Sequence, residues 1–291
     1  MKLVHSLWSQ PLLDSAPVDR RTKAVTMLWC YASSVAFAKN HQQHIRLYAD
    51  EYAADMLSFL PYDDVLPLDV PAGTPSNFWA AGKFSAYAQM KPGDVHIDGD
   101  VFLQTRGVIQ LLEHAASKYD LLVQCIENDG NCNGGAYDAV VDLLNKYGIT
   151  YDGEKFPKFA HAFNTGLIGF NDLRLREKYV MLYFDAMASI QRQPELLADL
   201  KEASAAPDIV LEQQTLCGLA ERDHCSVYSL LGAGSFSFLY SSAVGYQHLL
   251  GDAKTSLLHA TIQQLYEVDP EIFALTADAV NSLLLQEPSN M

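Results

Sequence analysis

The chain has 291 residues, 49% of them apolar, with 20 Lys and Arg against 35 Asp and Glu and a formal net charge of −15. That length supports one large domain with a sizeable core, and the acidic balance argues against a nucleic-acid partner because it repels a phosphate backbone. No apolar run reaches the ~18 residues of a membrane span, and the opening Met1-Lys2-Leu3-Val4-His5-Ser6 lacks the apolar stretch and cleavage site of a secretory leader.

In chain order, Lys2 to Trp8 reads as a short strand. Arg21 to Asn40 has Val25, Leu28, Trp29, Ala32, Val35 and Ala36 at helical spacing. His44 to Ala49 is strand-like, Glu51 to Leu60 is a helix stopped by Pro61, and Asp64 to Leu68 is a third strand. A helix over Asn77 to Gln89 precedes the strand Val95 to Ile97, which runs into Asp98. This alternation predicts an α/β fold with a mainly parallel, doubly wound sheet. Leu121 to Ile126 is a further strand, followed by a polar, Gly-rich loop from Glu127 to Gly135 and a helix over Ala136 to Tyr147. Ala162 to Phe170 is an apolar strand, and Leu173 to Gln193 and Ile209 to Ala220 are helices. Ser226 to Leu231 and Ser235 to Tyr240 suit a late β-hairpin. From about Lys254 the chain is mostly helical. No repeat or linker interrupts residues 1–291, so a single domain is expected.

The five cysteines, at 30, 125, 132, 217 and 225, are odd in number and show no C-x-x-C spacing. Neither a disulfide framework nor a zinc site is indicated, and a reducing cytoplasm fits best.

Chemistry concentrates in a few short segments. Asp98-Gly99-Asp100 puts two carboxylates one residue apart where an apolar strand ends. Alternate strand residues share a face, and the glycine lets both carboxylates aim at one hard cation, Mn²⁺ or Mg²⁺. The same tripeptide also suits a plain turn. His248, Gly251 and Lys254 follow an H-x-x-G-x-x-K spacing. It offers an imidazole ligand, a backbone open to close approach and a point charge for a phosphate, although a lone His before a helix is commonly a surface or capping residue. Phe163-Asn164-Thr165-Gly166 buries polar groups in an apolar strand. Either a sugar hydroxyl or a local bulge would have to satisfy them. Glu212-Gln213 lies near a helix start, where a carboxylate is favoured by the dipole alone or stands beside a reacting sugar carbon. Lys83 is on the helix before the acidic strand, either solvated or within reach of a phosphate. No Gly-x-Gly-x-x-Gly, P-loop or Gly-x-Ser-x-Gly segment is present.

In order, Asp98-Gly99-Asp100, Phe163-Asn164-Thr165-Gly166, Glu212-Gln213 and His248-x-x-Gly251-x-x-Lys254 resemble the motifs of the GT-A glycosyltransferases, and within them family 8, the group of glycogenin and the lipopolysaccharide galactosyltransferases. The resemblance spans roughly Lys2 to Lys254. It implies a Rossmann-like, mainly parallel sheet flanked by helices, with the metal motif at its carboxyl edge. It implies that Asp98, Asp100 and His248 bind Mn²⁺ (or Mg²⁺) against the diphosphate of a nucleotide sugar, a UDP-sugar first of all. Lys254 and Gly251 would hold the β-phosphate, with Lys83, Asp98, Asn164 and Trp8 around the donor. Glu212 and Gln213 would flank the anomeric carbon, and transfer of a hexosyl group to a glycan or lipid-linked hydroxyl would retain configuration. The chain departs from the family pattern where Thr255-Ser256 follows Lys254, where Lys83 stands for an Arg, and in the first strand at His5 to Trp8. Two other readings compete. One is a nucleotide-sugar-binding relative without turnover. The other is a haloacid dehalogenase-like phosphatase, with Asp98-Gly99-Asp100-Val101 as its Asp-x-Asp-x-Val and Gly251-Asp252 as a late acidic motif.

Overall fold

A computed structural model describes residues 1–128, 136–203, 206–234, 237–251 and 253–285. Most of the Gly-rich loop expected at Glu127 to Gly135, and Asp252 of the phosphatase reading, lie outside the described residues.

The first hundred residues supply β1 (Lys2–Leu7), α1 (Gln10–Leu13), α2 (Pro17–Asn40), β2 (Ile45–Ala49), α3 (Glu51–Met56), β3 (Asp64–Pro67), α4 (Ala81–Gln89) and β4 (Asp94–Ile97). Then come β5 (Val101–Leu103), α5 (Arg106–Ala115), β6 (Leu121–Asn128), α6 (Ala136–Lys146), the short pair β7 (Thr150–Tyr151) and β8 (Glu154–Lys155), and β9 (His161–Phe170). The remainder is α7 (Leu173–Gln191), α8 (Pro194–Glu202), α9 (Pro207–Ile209), a π-helical turn over Val210–Gln214, α10 (Thr215–Arg222), β10 (Val227–Ser229), α11 (Ser237–Val244), β11 (Tyr246–His248), α12 (Ala253–Val268) and α13 (Pro270–Leu285).

Seven strands form the main sheet in the order β10-β6-β9-β4-β1-β2-β3. The β1–β2, β2–β3, β1–β4 and β6–β10 pairings are parallel, whereas β9 is antiparallel to both neighbours, β4 and β6. Six strands therefore share one direction and β9 alone is reversed. The central strands are buried on both faces because helices cover both, whereas the edge strand β3 alternates. Val4 packs with the residues under α4, α7 and α10, whereas Leu3 and Leu7 pack with α2, α12 and α13. The result is the mixed, mostly parallel α/β sheet with a helical C-terminal region that the sequence predicts.

Three local expectations are corrected. The helix expected from Asn77 starts at Ala81, after a turn in which Phe78 N bonds Pro75 O and Ala81 N bonds Phe78 O. The helix expected over Ile209 to Ala220 opens at Pro207 and passes through the π turn before becoming regular. The late hairpin does not form. Val227–Ser229 instead adds to the edge of β6 in parallel, tied down by Ser226 on the Asp120 carboxylate, and Ser237–Val244 is helical. Gly232 and Gly234, both at positive φ, turn the chain away after that strand. Among the described residues no helix is long and apolar enough to cross a membrane.

Candidate functional site

The carboxyl ends of β1 and β4 open onto a cleft of about 300 Å³, the place where parallel α/β sheets hold ligands. Its lining includes Ser6 near the end of β1 and Trp8 just after it, Trp79 and Lys83 around the start of α4, and Asp98 and Asp100 after β4.

Asp98 N donates to Gly166 O at 2.8 Å, which anchors the acidic tripeptide to β9. A Cβ on Gly99 would lie 2.3 Å from Cε2 of Tyr31, so the glycine is required by the close approach of α2. Tyr31 in turn donates its hydroxyl to Ser6 O at 2.7 Å. Immediately after Asp100 the chain forms β5, which pairs antiparallel with β11 and sets His248 opposite Val101. Leu249 N donates to Asp100 O at 3.0 Å. A three-residue ladder thus brings His248 to the acidic pair from the far end of the sequence. One ligand atom from each of Asp98, Asp100 and His248 lies within 4.8 Å of the others.

Two lysines complete the cluster. Lys83 Nζ is 2.9 Å from Asp98 Oδ2 and 3.0 Å from Glu212 Oε1, and Lys254 Nζ is 2.5 Å from Asp100 Oδ2. The outer oxygens remain: Asp100 Oδ1 is 3.4 Å from His248 Nε2, and Asp98 Oδ1 is buried with no hydrogen-bond partner. Burial is the largest influence on Asp98 and raises its carboxyl above the usual range, with Lys83 opposing and Asp100 reinforcing the rise. At Asp100 burial pushes the same way, but His248 and Lys254 outweigh it and hold the carboxyl well below that range. Burial works to lower Lys83, yet Asp98 and Glu212 overcome it and hold the ammonium well above its ordinary value. Burial, then Asp100, pushes the Cys30 thiol in the cleft wall up to about 12, against a smaller opposing effect of Lys254.

These donors fit a divalent cation. Two carboxylate oxygens and an imidazole nitrogen are a hard-to-borderline set. A buried oxygen with no donor is the defect that a bound cation would repair.

Glu212 lies on the π turn, a distortion frequent at functional sites. It is wholly buried, takes a hydrogen bond from Thr165 Oγ1 at 2.7 Å as well as the Lys83 ion pair, and leaves Oε2 without a partner. Tyr179 donates to the Glu212 carbonyl at 2.7 Å. Just before the π turn, Asp208 in α9 accepts from Ala80 N at 2.8 Å and from Tyr183 at 3.0 Å, which fastens the start of α4 to the chain leading into Glu212.

The sequence-predicted residues separate into two groups. Trp8, Lys83, Asp98, Asp100 and Lys254 line the cleft, with His248 against Asp100 and Glu212 behind Lys83. Gly251, at φ +50, is exposed at the turn before α12. Asn164 and Gln213 make contacts of their own. Asn164 donates to Glu127 at 2.8 Å and accepts from Gly166 N at 3.1 Å, and Gln213 shares a short hydrogen bond with Tyr137. The Asn-Thr-Gly segment is a bulge: β6 advances two residues from Val123 to Cys125 while β9 advances four from Ile168 to Asn164.

Gln124 and Tyr246 carry no role in the sequence-based expectations. The only signal for Gln124 is one amide in the run Leu121-Leu122-Val123-Gln124-Cys125-Ile126.

The sequence matches, over residues 1–276, the model of a group described as "Family of unknown function (DUF6734)". No curated protein matches the sequence. Among solved structures, apo mouse xyloside xylosyltransferase 1 is similar at 13% identity, covering 78% of this chain and 76% of that chain with a TM-score of 0.32. A likeness at that level carries no functional assignment.

Proposed function

The chain belongs to the family of unknown function DUF6734, which lends it no activity, and we propose from the site itself that it is a metal-dependent glycosyltransferase using a nucleotide diphosphate sugar. The observation that carries this reading is the Asp98–Asp100–His248 cluster beside two lysines at the carboxyl edge of the sheet. The overall charge of −15 opposes a diphosphate, so local positive charge has to reverse the sign within the cleft.

In this reading Asp98, Asp100 and His248 hold Mn²⁺ or Mg²⁺. When bound, such an ion supplies Lewis acidity that takes up negative charge on the departing nucleotide diphosphate, an effect worth several kcal/mol. Lys254, in the first turn of α12, exchanges its Asp100 partner for the β-phosphate, and the exposed backbone at Gly251 lies beside it. Trp8 and Trp79 form aromatic surface along the cleft for the base and sugar. Lys83 stays protonated and keeps Asp98 and Glu212 from repelling each other. The donor is a UDP-sugar, the transferred group a hexosyl unit, and the transfer retaining.

A second reading is a relative that binds a nucleotide sugar without turning it over. Glu212 favours it, because that carboxylate is wholly buried and engaged with Lys83 and Thr165. Gln213 favours it too, turned toward Tyr137. Incubation of the protein with UDP-hexoses and Mn²⁺ separates the two. Metal-dependent release of UDP that chelation abolishes supports the transferase. A Mn²⁺-dependent rise in melting temperature with UDP-sugar but no UDP release supports the binder. Neither effect at any divalent ion would sink both.

A further inference from the structure

A histidine ligates metal through one ring nitrogen only if its other nitrogen carries the proton, so whatever accepts from that N–H selects the ligand atom. His248 Nδ1 lies 2.7 Å from Gln124 Oε1, and Nε2 faces Asp100 Oδ1. Gln124 Oε1 also accepts from the Tyr246 hydroxyl at 2.7 Å. An oxygen that accepts from both calls for a proton on Nδ1 and leaves the lone pair on Nε2.

We infer that Gln124, steadied by Tyr246, is the positioning residue that fixes the His248 tautomer and ring angle, and so makes Nε2 the nitrogen ligand of the cation site. This rests on the metal reading above.

The surroundings leave the clamp little freedom. Gln124 is 2% exposed and Tyr246 1%, so bulk water does not replace either contact. Gly166, in the β9 bulge, lies against both groups. A Cβ there would be 2.3 Å from His248 Cε1 and 2.5 Å from Gln124 Oε1. The bulge therefore makes the space that the amide and imidazole share, while the same residue's carbonyl holds Asp98 N. Tyr246 and His248 are alternate residues of β11, so both project to the same side and meet one acceptor. Buried amides in apolar strands are uncommon without such a task.

The test uses Mn²⁺ alone, read by its electron paramagnetic resonance for affinity and by nitrogen hyperfine modulation for imidazole ligation. Wild type should bind Mn²⁺ with one ¹⁴N coupling. Gln124→Leu should weaken binding by roughly 10–100-fold and reduce that coupling. Gln124→Glu, which still accepts from Nδ1–H, should restore both to within about threefold of wild type, because acceptance there is what the ligand needs. Tyr246→Phe should keep the fold and give a smaller loss than Gln124→Leu, and it keeps the question open to test if Gln124→Leu fails to fold. Wild-type affinity and ¹⁴N coupling in both Gln124→Leu and Tyr246→Phe would overturn the inference, as would failure of Gln124→Glu to rescue. Wild type that binds no Mn²⁺ would instead bring down the metal reading on which it rests.

Discussion

Two clusters of opposite charges occupy opposite ends of the sheet, and they solve different problems. At the amino ends of the parallel strands, Lys2, Lys39, Arg46, Asp63 and Asp64 pair at distances of 2.6–3.7 Å. Asp63 accepts from Lys39 and from Ile45 N, and its side chain is 34% exposed. At the carboxyl ends, Asp98, Asp100 and Glu212 are far less exposed, at 18%, 11% and 1%, and Asp98 Oδ1, 3.9 Å from His96 Nδ1, and Glu212 Oε2 have no hydrogen-bond partner. Asp63 and Asp64 pair near solvent, where an ion pair is cheap and weak, although Asp94, 3.8 Å from the same Arg46, is buried. Buried carboxylates with unpaired oxygens cost stability, and a cation that binds there recovers that cost.

The sharpest way to break this contrast is to remove a charge from the buried end. Lys83→Met would leave Asp98 and Glu212 without their shared cation, and the loss should be about 3–5 kcal/mol in urea unfolding, with donor turnover lost as well. A loss below about 1 kcal/mol would mean that the two carboxylates are already neutral or solvated. Next in size is Gly166→Ala, where the new methyl meets His248 and Gln124. It should destabilise the fold by about 1–3 kcal/mol and weaken Mn²⁺ binding, measured together by unfolding and titration.

The third effect is a pH slope. Burial holds His5 down to about 3 and His96 well below its ordinary value. Both are neutral in the native state, while the unfolded chain takes up their protons below about 6.5. Their contribution is thus whole above pH 6.5 and falls away as pH drops toward 3, at up to about 1.4 kcal/mol per pH unit for each histidine. Denaturant titrations at pH 7, 6 and 5 should show the decline, and His5→Gln should remove one histidine's share; a flat profile would contradict it. The smallest effect belongs to the exposed end. Asp63→Asn should change stability by no more than about 1 kcal/mol and leave activity intact.

The sequence makes one class of feature visible and hides another. Asp98, Asp100, His248 and Lys254 are legible because charged and imidazole groups next to apolar segments have few structural uses, and parallel sheets place strand ends at the ligand edge. The main sheet is legible for a different reason, the alternation of short apolar strands with helical periodicity. Gln124 is hidden because its task depends on a bulge in another strand, and Asn164 and Gln213 are aimed by that bulge and by a π turn that no local pattern announces. Val227–Ser229 reads as half of a hairpin, since an edge strand and a hairpin strand have the same alternation; only the open edge of β6 decides between them.

The central claim is that the unpaired carboxylate oxygens exist to hold a cation. Titration of Mn²⁺ into wild type and into an Asp98→Asn, Asp100→Asn double variant, with unfolding measured on both, tests it most directly. Wild type should bind Mn²⁺ saturably at 1:1 and the double variant should not, and the variant should be at least as stable as wild type without metal. Equal Mn²⁺ binding by the two proteins, or none by wild type, would contradict it.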